Sequence, residues 1–169
     1  MYKYALTGHT QGLGVEIKNL LPANTKCFSR SNNYDISKQA DRLKIINESV
    51  DCDVFINNAY HKFAQVELLY ELINSWENKE KCIINIGSNI TNYESETFNF
   101  KRMVHKTHKL SLLQAVKEIN KYNMRLKVIY FNIVGYLGTQ KMINKYPNIS
   151  FLSTKKVAND IVKAAHPSC

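Results

Sequence analysis

Three glycines near the amino terminus are the residues whose type and spacing most directly indicate chemistry. Gly8, Gly12 and Gly14 lie in the segment 7–14, between a β-type run and a helix-type run. In such a turn, backbone N–H groups and the positive end of the helix converge on a pyrophosphate. Gly8 permits the tight turn, Gly12 lets the phosphate come close, and Gly14 lets the helix pack on the sheet. The turn therefore predicts a dinucleotide site with contacts from Gly8, Thr10, Gln11, Gly12, Leu13 and Gly14.

The end of the second predicted strand indicates which dinucleotide the site prefers. A carboxylate at this position binds the ribose of NAD, whereas an arginine accepts the 2′-phosphate of NADP. The sequence here is Ser29-Arg30-Ser31. Arg30 offers a planar, permanently charged group to a phosphate monoester, and Ser31 adds a hydroxyl donor. We therefore expect NADP or NADPH rather than NAD, and the alternative is an exposed loop arginine that binds nothing.

The elements that must position these residues alternate between β-type and helix-type segments along the chain. This alternation predicts βαβ units with a parallel sheet, that is, an α/β fold of the doubly wound Rossmann type in one domain, residues 1–169. The predicted strands cover 3–7, 26–29, 34–36, 53–56, 82–86 and 125–132. The predicted helices cover 13–21, 38–49, 65–78, 101–121, 141–145 and 154–165. Six such strands predict the order 3-2-1-4-5-6.

The predicted helix over 101–121 has a broad apolar face. One stripe of this face contains Leu110, Leu113, Val116 and Asn120, and its flank contains Leu112, Ala115 and Ile119. We expect the face to pack on both the sheet and a partner.

The composition is that of an ordinary globular domain. Hydrophobic residues make up 44% of the 169 residues and charged residues 22%. No apolar run approaches the roughly 20 residues that cross a bilayer, so we expect no membrane partner. The amino terminus lacks the apolar core of a signal peptide, which favours the cytoplasm. The four cysteines have no paired spacing, so the sequence predicts neither a disulfide framework nor a metal site.

The formal net charge of +9 invites comparison with nucleic-acid-binding proteins. Such binding needs clustered cations with aromatic rings between them. The lysines are instead spread along the chain, mostly singly or in pairs. The sequence therefore predicts a solvated basic surface and no nucleic-acid partner. Such a surface would also attract an anionic cofactor or substrate.

Short motifs at the ends of the predicted strands occur in a characteristic order. They are the glycine turn, Asp35-Ile36-Ser37, Asn57-Asn58-Ala59, Ile84-Asn85-Ile86-Gly87-Ser88 and Val134-Gly135-Tyr136-Leu137-Gly138-Thr139. Across almost the whole chain, their order and rough positions resemble the short-chain dehydrogenase/reductase family. The resemblance implies hydride transfer between a nicotinamide cofactor and a small-molecule carbonyl/alcohol pair.

The resemblance also implies further cofactor contacts. Asp35 and Ile36 would hold the adenine, and Ala59 would line the ribose. Asn57 would brace the sheet beside the cofactor, and Thr139 would meet the carboxamide. The same motifs predict Asn58 and Val134 as further cofactor contacts.

A catalytic serine, tyrosine and lysine are implied as well. In the family the tyrosine is the acid/base, the lysine and the cofactor lower its pKa, and the serine fixes the carbonyl. Ser88 matches the serine, and Lys106 is the best match to the lysine, which would also hold the nicotinamide ribose. The residue four before Lys106 is Arg102 rather than tyrosine. An arginine stays protonated near neutral pH, so it cannot serve as the proton donor.

Three other residues are candidates for the missing acid. They are Tyr93 in the loop after Ser88, Tyr60 where the family usually has glycine, and His105 beside Lys106. Each can equally be a surface or packing residue. Two functions therefore stay open: a minimal NADP-dependent oxidoreductase that uses Ser88, Lys106 and an unusual acid, or an NADP-binding module without turnover that serves as a sensor or interaction protein. We take the oxidoreductase as the leading hypothesis.

The chain is short for this family. The segment 30–35 leaves no room for the helix that members usually place between strands two and three, and no seventh strand follows the last helix. The segment after Thr139, a lid in longer relatives, has only about a dozen residues. We expect an open site that takes a bulky substrate, is completed by a partner subunit, or turns nothing over. Paired long helices and an exposed sheet edge would give a homodimer or homotetramer.

Overall fold

Five short parallel strands form the centre of the computed structural model, which describes residues 2–76, 79–92, 99–122 and 124–165, with the side chains of 140 and 141 excepted. The strands are β1 (Tyr4–Thr7), β2 (Lys26–Phe28), β3 (Val54–Asn57), β4 (Cys82–Ile86) and β5 (Lys127–Phe131). β1, β3 and β4 are buried along their whole length. Burial on both faces explains why these strands are nearly continuous apolar runs in the sequence.

Helices flank both faces of the sheet. In the described part of the chain they are α1 (Leu13–Leu20), α2 (Gln39–Glu48), α3 (Ala64–Trp76), α4 (Phe100–Ile119), α5 (Gln140–Lys145) and α6 (Thr154–Ala164). Short 3₁₀ turns cover Arg30–Asn32 and Asn89–Asn92. None of these helices is long and apolar enough to cross a membrane, as far as the described residues go.

The sheet reverses its winding between β1 and β3. Its strand order is β2-β1-β3-β4-β5, so the chain passes from β1 to β2 on one side and then returns to β3 on the other side of β1. In a doubly wound sheet, this switch opens a crevice at the carboxyl ends of the strands, where ligands bind. The predicted α/β doubly wound fold is confirmed, and the predicted motifs come together at this edge.

The predicted third strand over 34–36 is wrong, and so is the six-strand count. The observed order is the predicted 3-2-1-4-5-6 with that strand removed. The backbone donors of the segment are used locally, because Tyr34 N donates to Ser29 O at 2.9 Å. Asp35 N likewise donates to Asp41 Oδ2 of α2 at 2.9 Å. A strand would need these donors for a neighbouring strand.

Two apolar layers lie on either side of the sheet. Alternate strand residues point to opposite faces, so Phe55 and Ile83 share a layer with α2, α3 and α4. Ile56 and Ile84 share the other layer with α1 and α6. Trp76 of α3 is fully buried in the first layer, with its ring centroid 6.0 Å from that of Phe55.

The buried face of α4 differs from the predicted stripe. Leu110 is 40% exposed, so this part of the predicted stripe does not pack on the sheet. The buried residues of α4 are His108, Lys109, Leu112, Ala115, Val116 and Ile119. Leu112, Ala115 and Ile119, predicted as the flank, therefore form the centre of the buried face. Two polar residues, His108 and Lys109, extend this buried face toward the carboxyl end of β4.

A buried arginine fastens α2 to α3 and to the segment before α2. Arg42 Nε and Nη2 donate to the two carboxylate oxygens of Glu71 at 2.9 and 3.0 Å. Arg42 Nη2 also lies 2.9 Å from Glu67 Oε2, and Nη1 donates to the carbonyl oxygen of Ile36 at 2.9 Å. The ion pair thereby holds the 34–36 segment at the edge of the crevice.

We predict that Arg42→Met lowers the free energy of unfolding by about 2 kcal/mol, because it removes the hydrogen bonds from a buried guanidinium to Glu71 and to the Ile36 carbonyl oxygen. The exposed pair between Lys3 and Asp51, 3.3 Å apart, provides the control. Lys3→Met should lower the same quantity by less than about 1 kcal/mol. Urea unfolding of the three proteins measures both effects, and equal losses in the two variants would contradict the prediction.

Candidate functional site

The turn after β1 needs its glycines for geometric reasons. Gly8 and Gly12 have positive φ angles of 71° and 51°, a conformation that residues with a side chain rarely adopt. A Cβ on Gly14 would lie 1.9 Å from the carbonyl oxygen of Gly8. Gly12 caps α1, so no side chain accepts from the first N–H groups of the helix. The turn and the positive end of α1 thus form the kind of site that binds an anion.

Polar groups of β1 and of the segment after β3 hold this turn in place. Thr7 Oγ1 accepts hydrogen bonds from the backbone N–H groups of Asn58 and Ala59, both at 3.0 Å. The Asn58 side chain donates to the carbonyl oxygens of Thr7 and Gly8 at 3.2 and 3.0 Å. The amide group of Asn58, a predicted cofactor contact, therefore supports the backbone of the turn.

Asn57 is fully buried beneath the crevice. Its Nδ2 donates to the carbonyl oxygen of Gln65 at 2.9 Å and to Asn85 Oδ1 at 3.0 Å. Gln65 Nε2 in turn donates to the carbonyl oxygens of Asn57 and Ile86 at 2.7 and 3.2 Å. These bonds join β3, β4 and the start of α3 into one rigid base.

Three cavities follow the carboxyl ends of the strands. The β2 cavity, lined by Arg30, has a volume of about 360 Å³. The α1 cavity, lined by Gly12, has a volume of about 650 Å³. The β4 cavity, lined by Ser88, has a volume of about 620 Å³.

The three cavities lie side by side and share lining residues, so together they form one crevice. Thr10 lines both the β2 cavity and the α1 cavity. Thr139 lines both the α1 cavity and the β4 cavity, and Tyr60 lines both the β4 cavity and the β2 cavity. The crevice therefore extends from the end of β2 to the end of β4 across the switch point of the sheet.

Most predicted cofactor contacts line this crevice. Those at the β2 cavity are Gly8, Thr10, Gln11, Arg30, Ser31, Asp35, Ile36, Asn58 and Ala59. Leu13 is instead buried in the core, and Gly14 packs against Gly8. Val134 is 68% exposed and points to solvent, although its neighbours Ile133 and Gly135 line the β4 cavity. The structure does not bring Val134 into the crevice.

Arg30 lies on a 3₁₀ turn at the carboxyl end of β2. Ser29 precedes this turn, and its backbone N–H and hydroxyl donate to Asn32 Oδ1 at 2.7 and 2.9 Å. Ser31 Oγ lies 2.7 Å from Ser29 Oγ, so this predicted donor already has a partner within the chain. These short bonds fix the turn and hold the backbone of Arg30 at the mouth of the β2 cavity.

Asp35 places a carboxylate in the same cavity. Its Oδ1 accepts from Ser37 N at 3.0 Å. Hydrogen bonds from Ser37 lower the pKa of Asp35, and the charge of Arg30 adds a smaller effect in the same direction. Ile36 beside it is buried. The β2 cavity therefore combines a cation, an anion and an apolar surface.

The β4 cavity contains Ser88 and a lysine that the sequence analysis missed. Lys109 is 5% exposed, and its Nζ donates to Gln65 Oε1 and to the carbonyl oxygen of Ile86, both at 2.8 Å. Burial lowers the pKa of Lys109 to about 8. An ammonium group has three N–H donors, so one remains beyond these two bonds.

Lys109 rather than Lys106 is the lysine of α4 that reaches the β4 cavity. Lys106, predicted from its distance to Ser88, lies one helical turn earlier. Residues three apart in a helix project from nearly the same side at different heights, which sequence spacing alone does not resolve. The residue four before Lys109 is His105, which lines the same cavity together with Arg102.

Imidazole and phenol groups form the wall between the β2 and β4 cavities. The Tyr60 hydroxyl is hydrogen-bonded to His108 Nδ1 at 2.8 Å, and its ring meets that of His105 edge-on with centroids 4.8 Å apart. Lys109 Nζ lies 5.1 Å from the Tyr60 ring centroid. Burial, followed by the charge of Lys109, lowers the pKa of His105. Tyr93, the remaining candidate acid, lies outside the described residues.

A tyrosine of β5 supports Ser88 from below, and no sequence pattern pointed to it. The Tyr130 hydroxyl accepts a hydrogen bond from Ser88 N at 3.2 Å. A Cβ on Gly87 would lie 2.2 Å from Tyr130 Cζ, so only glycine lets this ring pass beneath the chain. Gly87 and Tyr130 together set the position of Ser88.

Solved structures of short-chain dehydrogenases are among those similar to this chain. A short-chain dehydrogenase from Burkholderia cenocepacia in complex with NADP has a TM-score of 0.75 at 14% identity, over 96% of this chain and 83% of that one. A small-chain dehydrogenase in complex with NADPH has a TM-score of 0.76 at 15% identity, over 98% and 91%. Gre2 of Candida albicans in complex with NADPH has a TM-score of 0.71 at 12% identity, over 97% and 74%.

These similarities show that the chain has the short-chain dehydrogenase fold. No protein-family model matches the sequence, and no curated protein matches it.

We predict that Lys109 makes the stability of the chain depend on alkaline pH. Its pKa of about 8 in the folded chain lies below the ordinary 10.5, so burial disfavours the charged form. This destabilisation is full below pH 8 and disappears as the pH rises to 10.5. Over that window, the unfolding free energy of the wild type should rise by up to about 3 kcal/mol relative to Lys109→Met.

Urea unfolding at several pH values between 7 and 10.5 measures this difference. Lys106→Met is the matched control, since it removes a lysine from the same helix one turn away. A constant difference between the wild type and Lys109→Met across the window would contradict the prediction.

Proposed function

We propose that the chain binds NADP(H) in the crevice and transfers hydride between this cofactor and a small carbonyl/alcohol substrate. The observation that carries the proposal is the row of adjacent cavities that forms the crevice. It joins the glycine turn and Arg30 at one end to Ser88 and Lys109 at the other. The dehydrogenases of the same fold that hold NADP or NADPH support this choice of cofactor.

The geometry of the glycine turn fits a bound pyrophosphate. Side chains at Gly8 and Gly12 would be strained by their positive φ angles, and a Cβ at Gly14 would collide with the turn itself. At its glycines the turn therefore presents backbone next to the amino end of α1, which suits a doubly charged anion. In this proposal Thr10, Gln11 and Gly12 lie along the pyrophosphate.

Arg30 favours the phosphorylated form of the cofactor. Arg30 follows Ser29, the cap of the turn after β2. In this fold, residues at this position contact the ribose 2′-hydroxyl of NAD or the 2′-phosphate of NADP. The carboxylate of Asp35 shares the cavity but already accepts a hydrogen bond from Ser37. A phosphate monoester would pair with the Arg30 guanidinium in a bidentate manner.

The β4 cavity supplies the polar groups that the substrate end of the reaction needs. When bound, NADPH supplies a hydride and NADP⁺ accepts one. In this proposal the Ser88 hydroxyl donates to the carbonyl oxygen of the substrate, and the remaining N–H of Lys109 holds a ribose hydroxyl. The role that sequence spacing gave to Lys106 thus passes to Lys109.

The walls of the β4 cavity suit an apolar carbonyl compound. Ile90, Ile133, Leu137 and Met142 line it together with the half-exposed ring of Tyr136. These side chains would exclude water from an alkyl or aryl group, while the polar side chains lie at the carboxyl end of β4.

We predict that NADPH binds more tightly than NADH and that Arg30→Ala weakens NADPH binding about tenfold or more. Charge-assisted hydrogen bonds to the 2′-phosphate are lost, whereas NADH has no such group. Titration of the nucleotide fluorescence measures both affinities. Arg125→Ala, an exposed arginine at the amino end of β5, is the control and should leave both unchanged. Binding of neither nucleotide would contradict the proposal, and tighter NADH binding would contradict the role of Arg30.

We predict that Ser88→Ala and Lys109→Met each lower kcat/KM about 100-fold on the best substrate of an aldehyde and ketone panel. Lys106→Met should have a much smaller effect. A large loss of kcat/KM in Lys106→Met together with a small loss in Lys109→Met would contradict this prediction and assign the lysine role to Lys106.

The second candidate is an NADP-binding module without turnover. The observation that favours it is His105, which stands where the resembled family has its acid tyrosine before the lysine. Tight NADPH binding with no turnover on any member of the panel would select it.

Self-association stays a prediction, and exposed Tyr70 of α3 and Met103 of α4 are compatible with it.

A further inference from the structure

We infer that His105 is the acid/base residue of the β4 cavity, exchanging a proton with the oxygen atom of the substrate. The inference rests on the proposed function and deepens it. It gives the proton transfer to an imidazole on α4.

The balance of the reaction requires such a group. When a hydride reaches the carbonyl carbon, the π pair of the C=O bond moves to the oxygen, and an O–H bond must then form. In the reverse direction the O–H bond breaks and a group of the cavity takes the proton. The hydride comes from or goes to NADP(H), so the proton is what the chain itself must provide.

Several polar side chains of the cavity are unsuited to this exchange. The guanidinium of Arg102 does not lose its proton near neutral pH, and the hydroxyls of Ser88 and Thr139 do not ionise there. Lys109 Nζ is held by Gln65 Oε1 and the Ile86 carbonyl, which directs two of its three protons away from a substrate.

Tyr60 is unsuited because its hydroxyl is already bonded to His108 Nδ1. Burial also raises the pKa of Tyr60, so the phenol keeps its proton. His105 is half-buried and presents the one imidazole among the described residues that line the β4 cavity. Imidazole both gives and takes a proton near neutral pH, which is the property that the exchange needs.

The charges around His105 determine which of these two functions it performs at a given pH. Arg102, His108 and Lys109 lie on its own helix, and Tyr60 faces it from the segment after β3. Burial and the Lys109 charge hold the pKa of His105 below its ordinary 6.5. His105 is therefore a neutral proton acceptor at neutral pH, set for alcohol oxidation, and becomes a donor for carbonyl reduction in acid.

The experiment compares the full-length wild type with His105→Gln and His105→Tyr in both reaction directions. For the wild type, kcat/KM of oxidation should fall as the pH falls through a midpoint below 6.5, while that of reduction should rise. His105→Gln should lose about 100-fold in kcat and lose this midpoint, with NADPH affinity unchanged within about twofold. His105→Tyr should keep turnover but move the midpoint to alkaline pH.

A readout independent of turnover is the NMR titration of the histidine ring protons in the chain without cofactor. The resonance missing in His105→Gln belongs to His105, and its midpoint should lie below 6.5. His108→Gln removes an imidazole from the same helix outside the cavity lining, so it should keep an acid-side midpoint in the rate profile. Because the charge of His108 is one of those that lower the pKa of His105, that midpoint should move slightly upward.

Several outcomes would overturn the inference. They are wild-type turnover in His105→Gln, an activity midpoint near 8 that His105→Gln retains, or an equal loss in Tyr136→Phe. The second outcome would assign the proton to Lys109 and the third to Tyr136. Failure of the wild-type chain to bind NADPH would instead contradict the proposed function.

Discussion

The close approach of Gly14 to the carbonyl oxygen of Gly8 is the constraint on which the crevice depends. Because neither residue has a side chain, α1 can begin directly above the end of β1. Thr7 and Asn58 then lock the turn to the next strand through four hydrogen bonds. A larger residue at position 14 would push the helix away from the sheet, and the positive end of α1 would no longer face the switch point.

The chemistry of the β4 end depends on a different kind of contact, the burial of the α4 residue Lys109 against α3 and the end of β4. The lysine is held by Gln65 and Ile86, and Gln65 is itself bonded to Asn57. The polar network therefore runs from the base of the crevice to the reacting end without an exposed link. A buried polar network is rigid where its members are hydrogen-bonded, and the atom of Asn57 that lacks a partner is its buried Oδ1. It keeps the donors of the site at fixed positions before any ligand arrives.

Local features of the site were predictable because they follow the ends of strands. The carboxyl ends of parallel strands lie at the same edge of the sheet, so residues there are close together in space. The turn at 7–14, Arg30 and Ser88 follow this rule. The predicted strand over 34–36 was wrong because the backbone N–H of Asp35 donates to the Asp41 carboxylate of α2 instead of to a neighbouring strand. No sequence pattern indicates this contact. Lys109 was missed because helical periodicity predicts which face of α4 a residue lies on, but not which residue of that face reaches the cavity. The spacing of His105 and Lys109 was visible, but only the packing of α4 shows that both reach the cavity.

The hydrogen bond between Tyr60 and His108 has a consequence for the width of the crevice. Tyr60 lines two of the three cavities, so the rotamer of this one ring sets the opening between them. A hydroxyl can act either as donor or as acceptor toward an imidazole nitrogen. The 2.8 Å bond can therefore survive protonation of His108, because the protonated Nδ1 then donates to the Tyr60 hydroxyl. Protonation of His108 therefore does not by itself remove the contact that holds the Tyr60 ring between the two cavities.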